Sequence, residues 1–352
     1  MGNKILALAA KDAGAKLMFG YPITPSTEIM ETWAKLCLKD KSLSFLQTED
    51  EMAAGFAAIG SCLAGKPAFT ATAGPGNVLM QDAFSMAEAL RIPIVGMIIQ
   101  RGGLSTSTVI YSQEEVRLTC FGGNGEGFRV VYSTSNLQEL YDYTLKAFKT
   151  AWQYRWPAFV LADGYQGKMM GEVNFNSQPV TRLPACLAAD MAGKAGNSQL
   201  FKPILTKGVN MRNCYNLEEE IGETILNYKN EYQKVRGKIE ESESYFLEEA
   251  KTILLAHGIV AAACKPAIDR LRKKGLKIGL FRPITLRPFP ETAMAKALKQ
   301  AKKIIVLESA LGQLSEIFKS EMFEIKLPLV EIFKPAVGFT PEEIYDIITK
   351  IP

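Results

Sequence analysis

The chain has 352 residues, 47% hydrophobic and 22% charged, with 41 Lys and Arg against 37 Asp and Glu and a formal net charge of +4. That is apolar material for more than one packed core, and two domains are expected. Basic and acidic residues are interspersed rather than blocked into a patch, which argues against nucleic acid or a membrane surface as a partner.

The six cysteines, Cys37, Cys62, Cys120, Cys186, Cys214 and Cys264, lie far apart with no Cys-x-x-Cys pair. This fits a reduced, intracellular protein, and local spacing gives no zinc or iron-sulfur site. The opening MGNKILALAAKDAGAK has a short apolar stretch and no signal-type cleavage pattern, and no run of 18 apolar residues follows. A cytoplasmic location is expected. The single histidine, His257, excludes histidine triads and multi-histidine metal sites within the chain. Acid-base chemistry here would rest on carboxylates, arginine, hydroxyls or a cofactor.

In chain order, strands are expected at Lys16 to Gly20, Leu43 to Gln47, Ala68 to Thr72, Ile94 to Gln100, Arg129 to Tyr132 and Ala158 to Ala162. Helical patterns fall between them, at Glu51 to Ala64, Val78 to Leu90 and Leu137 to Tyr154. The rhythm predicts an α/β fold with a parallel sheet covered on both faces, in which ligands bind where strands end and helices begin. From about residue 165 to 216 the rhythm is lost in a stretch rich in Gly, Pro and Asn. In Leu217 to Ala250 the residues Ile221, Ile225, Tyr228, Tyr232, Val235 and Ile239 form a narrow stripe, which predicts a long connecting helix. Alternation resumes with strands at Thr252 to Ala256, Lys277 to Phe281, Lys303 to Leu307 and Leu329 to Phe333. Helices at Val260 to Lys273, Glu291 to Lys299, Gln313 to Met322 and Pro341 to Ile348 complete a second, smaller α/β domain.

Four stretches could carry chemistry. In GYPITPSTE (20–28), Thr24-Pro25 reads as a helix cap and first-turn proline, and equally as a rigid strand-terminal threonine suited to contacting a ligand. In LQTEDEMAAGFAAIGSCLAG (46–65), Glu49, Asp50 and Glu51 gather where a strand yields to an Ala/Gly-rich helix. The helix dipole explains part of that acidity, and a buried carboxylate seeking a partner is the functional reading. TATAGPGN (70–77) matches neither phosphate-loop pattern and reads as a tight strand-helix turn. Arg101 ends an apolar strand before Gly102-Gly103, placed either for a structural ion pair or for a bidentate carboxylate. His257 reads as a satisfied structural histidine near a domain edge.

Together, YPITPST, the EDE-M-AA helix, TAGPGN, QRGG and FGGNGE resemble the α-subunit of 2-oxoacid:ferredoxin oxidoreductases. The resemblance extends through LADG (161–164) and GLFRPITLRPFPE (279–291) to VLES and LGQL (306–314), and is greatest to the 2-oxoisovalerate, branched-chain type, close to the 2-oxoglutarate type. It implies a pyrimidine-type thiamine diphosphate domain over residues 1–180. An irregular linker and long helix would follow over 181–250, then a transketolase C-terminal-like α/β domain over 251–352.

By the same resemblance, Glu51 bonds the cofactor's aminopyrimidine, Ile23, Thr24, Gly74 and Pro75 line the cofactor, and Thr24 and Arg101 hold the substrate. The implied reaction is oxidative decarboxylation of a 2-oxoacid to acyl-CoA and CO2. No Gly-Asp-Gly run followed by Asn is present, only Asp163-Gly164, so half a site is implied. A β-subunit would bring the diphosphate site, Mg2+ and a [4Fe-4S] cluster, with γ and δ subunits, ferredoxin and coenzyme A completing the system. The loop Gly102 to Thr108 departs from the family's Pro-Ser-Thr-Gly run and bears on substrate identity. A non-catalytic assembly subunit and a transketolase-like transferase are the alternatives.

Overall fold

The computed structural model describes residues 1–175 and 211–351. The Gly/Pro/Asn-rich stretch falls mostly outside them.

The first sheet contains β1 (Leu17–Gly20), β2 (Ser44–Gln47), β3 (Ala68–Thr72), β4 (Val95–Gln100), β5 (Val130–Ser133), β6 (Ala158–Asp163) and β10 (Thr285–Arg287). Its order is β10-β5-β6-β4-β3-β1-β2, all parallel except β10. β3, β4 and β6 are buried along their whole length, as near-continuous apolar strands covered on both faces must be. The chain runs outward from β1 to β2, then returns to place β3 on the other side of β1. The carboxyl ends of β1 and β3 therefore flank a topological switch point, where open α/β sheets bind ligands.

The covering helices are α1 (Gly2–Asp12), α2 (Thr27–Lys39), α3 (Glu51–Leu63), α4 (Pro75–Leu79), α5 (Gln81–Ala89), α6 (Val116–Phe121), α7 (Leu137–Tyr154) and α8 (Gly164–Lys168). The opening stretch, read above only for its lack of a signal pattern, forms α1, which buries Ile5, Leu6, Ala9 and Ala10 and packs against α2, α7 and α8. The helix expected from Val78 begins earlier, because Pro75 is pre-set for a first turn, and it divides at Met80 into α4 and α5.

The connecting helix is α9 (Glu218–Ile239), and it stops well short of Ala250. Its apolar stripe ends at Ile239, and Ser242–Tyr245 leaves the helix to become β7, an antiparallel edge strand on β9 (Ile278–Pro283). Tyr228 and Tyr232 of the stripe pack on Phe128 and Trp156 of the first half. The second sheet has the order β12-β11-β8-β9-β7, with β8 (Thr252–Leu255), β11 (Lys303–Glu308) and β12 (Leu329–Phe333) parallel to β9. The remaining helices are α10 (Gly258–Lys273), α11 (Glu291–Leu298), α12 (Gln313–Glu321) and α13 (Pro341–Lys350), with α10 and α13 packed together in that domain's own core. The run GLFRPITLRPFPE straps the halves together, since β9 lies in the second sheet and β10, two residues on, joins β5 of the first.

Candidate active site

The switch-point crevice is built from four chain segments. After β3 the chain turns through Gly74, Pro75 and Gly76 into α4. Gly74 has φ +52°, and a Cβ there would lie 2.5 Å from Arg101 Nε. A Cβ on Gly76 would lie 2.1 Å from Thr72 Oγ1 and 2.4 Å from Glu51 Oε1. Both positions thus require glycine, one for conformation and one for close approach.

Glu51 is the first residue of α3, whose N-cap is Asp50, with Ala53 N donating to Asp50 Oδ1 at 2.7 Å. The two carboxylates divide the labour: Asp50 caps the helix, and Glu51 turns into the protein, only 4% exposed. Burial raises the Glu51 pKa, and nearby Asp50 adds to this while the helix amide and Arg101 oppose it.

Arg101 follows β4 and is also buried. Its Nη1 donates to the Thr24 carbonyl oxygen at 2.8 Å, while its Nε is buried without a partner among the described residues. Its backbone N donates to Glu115 Oε1 at 3.0 Å, and Gly74 N reaches the same oxygen at 2.8 Å. Asn77 Nδ2 donates to Glu115 Oε2 at 2.9 Å. Glu115 therefore ties the Arg101 backbone to the glycine turn. Burial raises its pKa, and these donors work against that rise.

Beneath the turn the polar chain continues. Gln81 Nε2 donates to Asn77 Oδ1 at 2.9 Å, Arg129 Nη1 donates to Gln81 Oε1 at 3.1 Å, and Arg129 pairs with Glu88, all buried. Glu115, Asn77, Gln81, Arg129 and Glu88 were not picked out from the sequence. For Asn77, Gln81 and Glu88 the signal is their spacing with Ser85, polar at helical intervals within apolar surroundings, whereas Glu115 and Arg129 carry no such local signal.

Thr24 is exposed, and Thr24-Pro25 does not form the expected cap. That peptide bond is cis, the N-cap is Ser26, and the helix starts at Thr27. Ser26 N and Ser26 Oγ both donate to the Ile23 carbonyl at 2.9 Å, closing a turn that delays the helix. Asn3 of α1 braces this loop by donating from Nδ2 to Pro25 O at 2.6 Å and to Glu28 at 2.7 Å. Thr24, Arg101, Gly74 and Glu51 are thus joined around one crevice. Ile23 and Pro75 are half-buried.

The loop Gly102 to Thr108 extends outward from Arg101, with Leu104 and Ser105 at positive φ and Leu104 almost wholly exposed. Asp163 caps α8, accepting from Gln166 N at 3.0 Å, and its pKa is raised to about 7 by burial. His257 lies between the halves, with Nδ1 at 2.9 Å from Ser133 Oγ, while Nε2 has no partner among the described residues. The expectation of a satisfied histidine thus holds for one ring nitrogen only. Among the described residues no group of three or more His, Cys, Asp or Glu could hold a metal ion, and no helix is long and apolar enough to cross a membrane.

Residues 8–240 match the family described as pyruvate flavodoxin/ferredoxin oxidoreductase, thiamine diP-binding, and residues 250–343 match pyruvate:ferredoxin oxidoreductase core domain II. This chain belongs to the 2-oxoacid:ferredoxin oxidoreductase family, as an α-type subunit. It is 31% identical over 319 residues to ketoisovalerate oxidoreductase subunit VorB of Methanothermobacter marburgensis, spanning 90% of this chain and 88% of the relative. It is 32% identical over 326 residues to 2-oxoglutarate synthase subunit KorA of Methanocaldococcus jannaschii, spanning 89% and 88%.

Among solved structures, 2-oxoglutarate:ferredoxin oxidoreductase from Magnetococcus marinus, with 2-oxoglutarate, coenzyme A and succinyl-CoA bound, superposes with a TM-score of 0.81 at 25% identity. The match covers 99% of this chain and 64% of that one. A split-gene transketolase, an inactive beta4 tetramer, shares the fold at a TM-score of 0.57 and 13% identity, covering 98% of this chain and 90% of that one. The α-type subunit thus has the two-domain thiamine-enzyme fold, and relatives named as subunits imply partner chains.

Proposed function

We propose that this α-type subunit forms the aminopyrimidine and 2-oxoacid half of a shared active site, in an enzyme that oxidatively decarboxylates a 2-oxoacid to acyl-CoA and CO2 and reduces ferredoxin. The observation that carries this reading is the convergence of Glu51, Gly76, Gly74, Arg101 and the Thr24 loop at the sheet's switch point. Residues 1–180 make up the cofactor domain in this reading, 181–250 the linker and long helix, and 251–352 the transketolase C-terminal-like domain.

The residues present fit the ring end of thiamine diphosphate. A buried carboxylate heads a helix beside two glycines that admit close approach, and two buried polar atoms there, Thr72 Oγ1 and Arg101 Nε, have no partner among the described residues. When bound, the cofactor supplies the nucleophilic carbon that attacks the keto group. Glu51, its pKa raised by burial, holds and returns a proton at the aminopyrimidine ring nitrogen. Arg101 keeps part of its guanidinium free of Thr24 O and pairs with the substrate carboxylate. Thr24 presents its hydroxyl at the same rim, and Ile23, Gly74 and Pro75 border the ring.

The diphosphate end fits no metal-binding group among the described residues. In our reading a β-subunit brings Mg2+, the diphosphate ligands and a [4Fe-4S] cluster, with γ and δ subunits, ferredoxin and coenzyme A beyond it. Exposed Leu46, Met52, Val78 and Leu79 lie on the segments around the crevice and give such a subunit an apolar rim to cover. Similarity to both ketoisovalerate and 2-oxoglutarate relatives supports a branched-chain 2-oxoacid or 2-oxoglutarate as substrate.

The test is co-expression with the β-subunit, then viologen-dye reduction with a panel of 2-oxoacids plus coenzyme A. Thiamine-dependent reduction that is lost in Glu51→Ala supports the proposal. Turnover unchanged by Glu51→Ala overturns the assigned roles, and a complex with neither cofactor nor turnover points to an assembly subunit.

A further inference from the structure

We propose that Thr72 is a positioning residue for Glu51, its hydroxyl donating to the Glu51 carboxylate and fixing the orientation that the carboxylate presents to the cofactor ring. The inference rests on the reading that Glu51 faces the aminopyrimidine.

Thr72 is the last residue of β3, fully buried, and its Oγ1 has no hydrogen-bond partner among the described residues. Buried hydroxyls are ordinarily satisfied, so a lone one at a strand end beside a site calls for a partner. Gly76 indicates which partner is within reach. The one missing Cβ would meet Thr72 Oγ1 at 2.1 Å and Glu51 Oε1 at 2.4 Å, so hydroxyl and carboxylate face the same bare glycine edge. The two oxygens are not bonded to each other in this structure, and a side-chain rotamer change that carries Thr72 Oγ1 to Oε1 across the bare Gly76 edge gives a charge-assisted bond, the stronger kind in a water-poor setting.

Thr72 keeps its own proton throughout. Its effect is to hold the carboxylate rotamer and to favour the anion, countering the burial that otherwise favours the protonated acid. A side chain at Gly76 would part the two groups, which gives the second glycine of Gly-Pro-Gly a role besides turn formation.

The test uses the αβ complex with Thr72→Val, which removes the hydroxyl while keeping the shape, and Thr72→Ser, which keeps the hydroxyl. Thiamine diphosphate affinity is measured calorimetrically across pH, with Glu51→Gln as control. Thr72→Val is expected to weaken binding by about tenfold, the order set by one hydrogen bond. It also moves the pH midpoint of binding upward, because a carboxylate that loses a donor becomes a weaker acid. Thr72→Ser stays near wild type.

If Glu51→Gln abolishes the pH midpoint while Thr72→Val changes neither affinity nor midpoint, the Thr72 inference alone is overturned. If Glu51→Gln leaves the midpoint in place, the underlying reading of Glu51 fails instead. Should Thr72→Val not assemble, the pair Thr72→Ser and Thr72→Ala isolates the hydroxyl, and equal affinities for the two would also overturn the inference.

Discussion

Arg101 Nη1 donates to the carbonyl oxygen of Thr24 at 2.8 Å, so the end of β4 holds the backbone of the loop that follows β1. Because the acceptor is a main-chain atom, Thr24→Ala leaves the bond in place while removing the hydroxyl. Arg101→Ala removes both the brace and the proposed carboxylate partner. Steady-state dye reduction by the αβ complex is expected to show kcat/KM for the 2-oxoacid reduced about 100-fold in Arg101→Ala, as for loss of one charged hydrogen-bonded pair. Most of that loss should lie in KM. Arg101→Lys recovers little, since an ammonium cannot bond Thr24 O and a carboxylate with one planar fork. An unchanged KM in Arg101→Ala would remove Arg101 from substrate binding.

Two glycines provide a matched comparison. Gly76→Ala places a methyl 2.1 Å from Thr72 Oγ1 and 2.4 Å from Glu51 Oε1, whereas a methyl on Gly60 in α3 meets nothing within 4 Å. Gly60→Ala should raise stability by about 0.5–1 kcal/mol through helix propensity alone. Gly76→Ala should abolish thiamine diphosphate binding by calorimetry. Retained binding in Gly76→Ala would mean that this edge of the crevice is not the ring site.

The core of this arrangement was legible in the residues because strands and their following turns are local. β3 and α7 fall where alternation and periodicity place them, and Arg101 sits at a strand end as its apolar run predicts. What escaped depends on partners distant in sequence. Glu115 gains its place from Gly74, Arg101 and Asn77, none of which its own neighbourhood reveals. Asn3 looks like an ordinary early polar residue until α1 folds beside Pro25. The long helix was overextended because Glu240, Glu241, Glu243, Glu248 and Glu249 are good helix formers beyond Ile239, whereas pairing of Ser242–Tyr245 with β9 decides the conformation there.

Glu115 provides a prediction about coupling between fold and site. Glu115→Ala leaves the Gly74 and Arg101 amides and the Asn77 amide group without their shared acceptor in a buried place. A loss of about 3 kcal/mol or more is expected, from several unsatisfied donors acting together. Chemical denaturation measures it. Arg101 should also lose its fixed backbone, so KM for the 2-oxoacid rises in whatever fraction still folds. A stable Glu115→Ala with unchanged KM would show that the turn and Arg101 are held by other contacts.

His257 gives a signed pH dependence. Burial, with a smaller contribution from Arg282, lowers its pKa from 6.5 to about 3 in the folded chain. The unfolded chain therefore binds this proton first as pH falls, and the stability contributed by the neutral ring is complete above pH 6.5 and lost toward pH 3. Within that window the expected slope is about 1.4 kcal/mol per pH unit. Asp163 and Glu308 act in the opposite sense, because burial raises each of their pKa values to about 7 and the folded chain binds their protons first. The wild-type profile is thus a compromise among these groups, and the histidine is isolated only by subtraction. Denaturation free energies of wild type and His257→Asn, measured between pH 5 and 6.5, should diverge with falling pH, wild type losing the more. A flat difference would mean that the ring is already charged in the folded protein or open to water between the two halves.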